Sequence, residues 1–151
     1  MELELEDFEI VGISVRTINQ NQKAEKDIEN LWKRFYDFDS LAKIGGKISE
    51  DLYCVYTDYE SDYLGAYTSI LGFQVKPGTL PPSGFIRKVI LRSTYKVFIS
   101  EGPLPSSVRQ TWMNIWNSDL KRRYTADFDV YVAHSKDPEK AIVRTFVSIE
   151  L

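Results

Sequence analysis

Hydrophobic and polar positions alternate along much of the chain, and where alternation stops a helical spacing takes over. Residues 8–15 are rich in β-branched side chains and predict a first strand. The polar run Asn19, Gln20, Asn21, Gln22 follows, and Asn19 with Gln22 has the spacing of a capping box. Ile28, Leu31, Trp32, Phe35 and Tyr36 then recur at offsets of 0, 3, 4, 7 and 8, which places them on one stripe of a helix. Gly45 and Gly46 lie in the loop after it. Residues 52–59 and 66–75 read as two strands. Glu60, Ser61, Asp62 and Gly65 between them supply the turn chemistry of an antiparallel hairpin.

Residues 76–83 carry three prolines and Gly78, cannot continue a sheet, and form the natural joint of the chain. Beyond the joint the pattern recurs. Residues 95–99 predict a strand, and Pro105 can open a helix. Val108, Trp112, Ile115 and Trp116 give that helix its apolar stripe. Residues 128–133 and 142–149 predict strands separated by the turn-like Lys136, Asp137 and Pro138. Each half reads strand, helix, strand, strand, with Trp32 and Trp116 at matching places 84 residues apart. An internal duplication explains this, with halves of about 1–76 and 84–151 within a single domain. The expected class is α+β, with antiparallel sheets, helices on one face, and a cleft between the two units.

The 151 residues fit one domain, and a 43% hydrophobic content supplies its core. The acidic, alternating amino terminus is neither a signal nor a transit peptide, and no apolar run is long enough to span a bilayer, so a cytoplasmic address is expected. Cys54 is the only cysteine, which excludes an internal disulfide. A net charge of −3 argues against a nucleic-acid-binding face. Aromatic residues make up 13% of the chain, a content that suits an aromatic pocket as well as an aromatic core.

Four stretches in order resemble the GyrI-like, or AraC-type, effector-binding family. They are Val11-Gly12-Ile13; Tyr56-Thr57-Asp58-Tyr59-Glu60-Ser61-Asp62 leading to Tyr67 and Gly72; Trp112-Met113-Asn114-Ile115-Trp116; and the run from Arg123 through Tyr124, Asp127, Phe128, Asp129 and Val130 to Tyr131. The resemblance implies a tandem pair of strand-helix-strand-strand modules. It also implies kinship with integron cassette proteins that bind cationic drugs. The last motif in the family usually reads Asp-Phe-Glu-x-Tyr, its glutamate facing cationic ligands in the pocket. Here Asp129 holds that place, one methylene shorter, which keeps the charge but withdraws it by about 1.5 Å. The shortening favours a binding role over a catalytic one.

Strand alternation puts Asp127, Asp129 and Tyr131 on one face, and Phe128, Val130 and Val132 on the other. The apolar second face suits packing beneath the helices, which leaves the first for the cleft. With the motif, Asp129 is read as a pocket carboxylate, while Asp127 stays a solvent-facing strand residue. Trp112 is read first as core and Trp116, near the helix end, as cleft rim. Tyr56, Tyr67 and Phe98 lie on strands whose free faces reach either core or cleft. The acidic Asp58, Glu60 and Asp62 read as a solvated hairpin tip rather than a calcium loop. Lys121, Arg122 and Arg123 read as a solvated face. His134 is the only histidine, too few for a triad or a multi-histidine metal site, and Cys54 reads as a small buried hydrophobe.

The reading that follows is a stand-alone protein that binds hydrophobic, cationic aromatic compounds through Asp129, Tyr131, Trp116, Trp112, Tyr56, Tyr67 and Phe98. No cofactor, metal or membrane enters it. Direct nucleic-acid contact is not expected either, because the first strand begins within ten residues and leaves no room for a preceding helix-turn-helix. A homodimer and a separate regulator chain both stay open as associations. Two rival functions stand beside it. One is a hydrolase using Asp129 as a base, which would need a second acid or oxyanion donor nearby. The other is a protein-binding regulator acting through its acidic surface.

Overall fold

Gly12 and Gly72 face each other where two long strands cross, and their lack of side chains shapes the sheet. The strands are β2 (Phe8–Ile18) and β4 (Ala66–Val75), paired antiparallel from Glu9 opposite Val75 to Ile18 opposite Ala66. A Cβ on Gly12 would lie 2.1 Å from the Leu71 carbonyl oxygen, and one on Gly72 would lie 2.1 Å from that of Val11. Only glycine permits this approach, and it lets the sheet curl. The structure, a computed structural model, describes residues 1–133 and 137–151. The remaining elements are β1 (Glu2–Leu5), α1 (Lys23–Asp37), α2 (Ser40–Lys43), β3 (Leu52–Thr57), β5 (Ile86–Ile90), β6 (Ser93–Gly102), α3 (Ser106–Trp116), β7 (Ala126–Tyr131) and β8 (Ala141–Ser148).

The strands form one antiparallel sheet in the order β1-β6-β8-β7-β3-β4-β2-β5. The succession β2-α1-β3-β4 is repeated by β6-α3-β7-β8, and the two second strands, β3 and β7, pair at the centre with Cys54 opposite Asp129. The edges are exchanged. β1 precedes the first module but pairs with β6 of the second, whereas β5 precedes the second module but pairs with β2 of the first. The sequence pattern did not mark β1 or β5 as strands: β1 alternates over only four residues, and both are short and largely exposed, so neither presents a long buried face.

The two sheet faces are buried by different means. One face carries both helices: Leu31 and Phe35 of α1 pack on Val11, Cys54, Leu71 and Phe73, while Val108, Trp112 and Ile115 of α3 pack on Val143 and Val147. The opposite face curls over its own side chains, gathering Val55, Ile70, Tyr95, Phe128, Val130 and Phe146 with no helical residue among them. The alternation of β7 is as expected, but the assignment of its faces is reversed for Phe128 and Val130. They lie in the sheet's own aromatic core, with Phe128 stacked on Phe146 at 4.7 Å, and the helices cover the Asp127–Asp129 face instead. Sheet curvature is a tertiary property, and alternation along one strand does not report which face receives the helices.

The capping box is not formed. Gln22 begins α1 with a left-handed backbone (φ 63°) and no side-chain cap. Asn19 instead accepts a hydrogen bond from Tyr67 Oη at 2.7 Å and donates its amide to the Tyr63 carbonyl at 3.2 Å. His134 and Lys136, and with Lys136 part of the expected turn before β8, lie outside the described residues. No helix among the described residues is long and apolar enough to cross a membrane.

Candidate functional site

Because α1 and α3 lie side by side on one sheet face, a cleft of about 1010 Å³ opens between them. Its floor is tyrosine: Tyr56 of β3, Tyr67 of β4 and Tyr131 of β7. The α1 stripe splits by geometry, Leu31 and Phe35 turning into the core and Ile28 and Trp32 into the cleft. From α3 come Val108, Trp112 and Trp116, the last 46% exposed at the rim. Tyr59 and Tyr63 close the end near the β3–β4 hairpin.

Asp129 lies under this floor, fully buried, and does not itself line the cleft. Tyr56 Oη donates to its Oδ2 at 2.8 Å, Thr145 Oγ1 to its Oδ1 at 2.6 Å, and Trp112 Nε1 approaches both oxygens at 3.1 and 3.2 Å. These donors are all neutral. Burial outweighs them and pushes the carboxyl up to about 6. The same burial, with the Asp129 charge beside them, holds the Tyr56 and Tyr131 hydroxyls well above the usual phenol range. Cys54, opposite Asp129, is pushed up to about 12 by burial and by that carboxylate, so its thiol stays protonated.

Asp127 departs from expectation. It is fully buried, not solvent-facing, and its Oδ2 accepts Arg122 Nη2 at 2.8 Å and Tyr59 Oη at 2.6 Å. Its Oδ1 accepts the Ser148 amide at 2.8 Å and the Ser148 hydroxyl at 3.1 Å. Arg122 is accordingly buried as well, lying 4.4 Å from the Tyr124 ring and 5.5 Å from that of Trp112, so the basic triplet is not a uniformly solvated face. A buried carboxylate recruits a cation, and this one found the middle member of the triplet. At the hairpin, Asp58 pairs with Lys88 at 2.7 Å and Asp62 accepts the Leu64 amide at 2.8 Å.

Of the residues singled out from sequence, Trp112, Trp116, Tyr56, Tyr67 and Tyr131 meet in the cleft, with Asp129 beneath them. Trp112 is both nearly buried and a cleft wall. Phe98 is not in the cleft; it packs against the core under α3. Sequence reasoning missed Trp32, Tyr59, Arg122 and Thr145. Thr145 left a signal: it is the polar member of the inward series Ala141, Val143, Thr145, Val147, and β-sheet register sets it opposite Asp129. Each helix also places a tryptophan edge-on to a tyrosine of the other module, Trp32 on Tyr131 at 4.9 Å and Trp112 on Tyr56 at 5.5 Å. In packing, therefore, Trp112 and not Trp116 is the counterpart of Trp32.

Two antiparallel modules with an aromatic cleft between their helices define an effector-binding protein. The chain belongs to the Cass2 family of integron-associated effector binding proteins, whose profile matches residues 3–151. The integron cassette protein VCH_CASS2, from the mobile metagenome of Vibrio cholerae, is 28% identical and superposes with a TM-score of 0.74 over 99% of this chain and 95% of its own. YobU of Bacillus subtilis, named as a candidate transcriptional regulator, is 29% identical over 144 residues, covering 92% of this chain and 90% of its own. SAV2435, solved with tetraphenylphosphonium bound, shares the fold at 19% identity and a TM-score of 0.79, over 99% of this chain and 93% of its own.

Proposed function

We propose that this protein binds hydrophobic aromatic cations in the cleft between α1 and α3, without converting them chemically. The observation that carries the reading is Asp129: a fully buried carboxylate, held by three neutral donors and without a cationic partner among the described residues, directly beneath the aromatic floor. An ionised group so placed is poorly compensated, and a cation in the cleft would supply what is missing. A cation resting on Tyr56 or Trp112 would sit about 6–8 Å from the carboxylate, where unit charges at an effective dielectric of 20 attract by about 2–3 kcal/mol. Aromatic faces add to the same preference. The tetraphenylphosphonium carried by SAV2435 has this chemistry, a diffuse charge clothed in aromatic rings.

Binding without turnover is supported by what surrounds the carboxylate. Its three donors are committed to it, and the thiol opposite stays protonated, so the described residues offer Asp129 no activated nucleophile. The test is isothermal titration of wild type and Asp129→Asn with tetraphenylphosphonium and a neutral analogue of equal size such as tetraphenylsilane, solubilised identically. Asparagine should weaken the cation by about tenfold or more and leave the neutral compound unchanged. Equal cation affinity in both proteins removes Asp129 from the site.

A further inference from the structure

The two crossed tryptophan–tyrosine pairs look alike but are anchored differently. Trp112 and Tyr56 both end on Asp129, through the indole N–H at 3.1 Å and the phenol at 2.8 Å. Trp32 and Tyr131 meet only through ring contacts: neither the indole N–H nor the phenol has a hydrogen-bond partner among the described residues. This unanchored pair stands between two hollows. On one side is the cleft. On the other is a separate hollow of about 240 Å³ with Leu52, Phe73, Val132 and Ala141 in its wall, and Trp32, Tyr131 and Leu104 line both.

We infer that the Trp32–Tyr131 pair is a yielding partition and that the hollow behind it is a second subsite, taking the alkyl arm of an amphiphilic cation whose charged head lies over Asp129. Nothing polar has to break for Trp32 to swing, whereas moving Trp112 would strip a donor from a buried carboxylate. The wall is mainly apolar among the described residues, and the carboxylate that lines it, Glu50, is already paired with Lys47 at 3.3 Å. That pairing favours an uncharged arm over a second cationic end. The inference rests on the cleft being the cation site, and it adds a chain-length selectivity that the cleft alone does not require.

The experiment is isothermal titration with alkyltriphenylphosphonium cations from methyl to octyl, on wild type and Ala141→Phe. Ala141 lines the hollow but not the cleft, and a phenyl ring there fills the subsite alone. Wild-type affinity should climb with arm length, by up to roughly fourfold for each methylene withdrawn from water, and then level off. Ala141→Phe should bind the methyl compound as wild type does and show no climb. Equal slopes in the two proteins, or a flat wild-type series, would overturn the subsite while leaving the cleft reading intact. Failure of the methyl compound to bind wild type overturns both. Trp32→Ala gives an independent check should Ala141→Phe fold poorly: removing the partition should raise the octyl-to-methyl affinity ratio, and an unchanged ratio rejects the proposal.

Discussion

Asp127 and Asp129 project from the same face of β7, two residues apart and both sealed from water, yet among the described residues only Asp127 has a cationic partner. Arg122 neutralises the first, and the second is left to neutral donors under the aromatic floor. On the proposed function, two carboxylates on one strand thus divide into a structural group and a binding group.

If the cleft binds cations as proposed, the division gives that binding a pH dependence. Asp129 has its carboxyl raised to about 6 from an ordinary 3.8, so protons and ligand cations compete for it. Affinity for tetraphenylphosphonium should be steady above pH 7 and fall by about tenfold for each unit below 6, a limit in which only the ionised form binds. Asp129→Asn should show a flat profile over the same range.

Stability should carry the opposite sign. Because the folded pKa is raised, the protonated group's advantage is fully present below 3.8 and lost as pH rises through about 6. The whole excursion amounts to roughly 3 kcal/mol. In urea titrations without ligand, Asp129→Asn should exceed wild type most at and above pH 7, and the gap should close toward pH 4. A constant gap would show that the carboxyl does not titrate in this window.

Tyr56→Phe deletes one donor to the charged form of Asp129 while keeping the ring. A hydrogen bond to a charged group contributes about 1.5–3 kcal/mol, so the carboxyl should rise by a further unit or more. The measurement is the pH midpoint of tetraphenylphosphonium binding, expected near 7 or above. A midpoint still at 6 would mean the bond does not hold the charge.

Asp127→Asn should behave unlike its neighbour. It leaves the Arg122 guanidinium buried without its counter-charge, a change that costs about 3–5 kcal/mol. Chemical denaturation at pH 7 should therefore rank Asp129→Asn at or above wild type and Asp127→Asn well below it. Equal stability of the two variants would refute the division of roles.

Gly72→Ala tests the strand crossing. Its Cβ would meet the Val11 carbonyl oxygen at 2.1 Å, backbone that cannot turn aside, and the loss should exceed about 3 kcal/mol. Gly78→Ala is the control: its Cβ would enter open space, and only the φ of +82° is strained, at about 1–2 kcal/mol.

Sequence by itself determined the elements whose burial writes a period into the chain. The stripes of α1 and α3 and the strand cores of β2, β3, β4, β6, β7 and β8 were legible because each has one face packed and the other wet or differently packed. The hairpin motif from Tyr56 to Tyr67 and the Trp-x-x-x-Trp and Asp-Phe-Asp-x-Tyr motifs also pointed to aromatic residues that line the cleft and to the carboxylate beneath it. The tertiary structure alone decided which sheet face receives the helices, since alternation is blind to curvature, and so reversed the placement of Phe128 and Val130. It also decided that Asp127 meets Arg122, that Asn19 serves Tyr67 rather than α1, and that Phe98 stays out of the cleft. Each of these turns on side chains brought together in three dimensions. A carboxylate reads the same in sequence whether it faces water, a guanidinium or the underside of a tyrosine; only packing fixes its surroundings, and those surroundings set its charge.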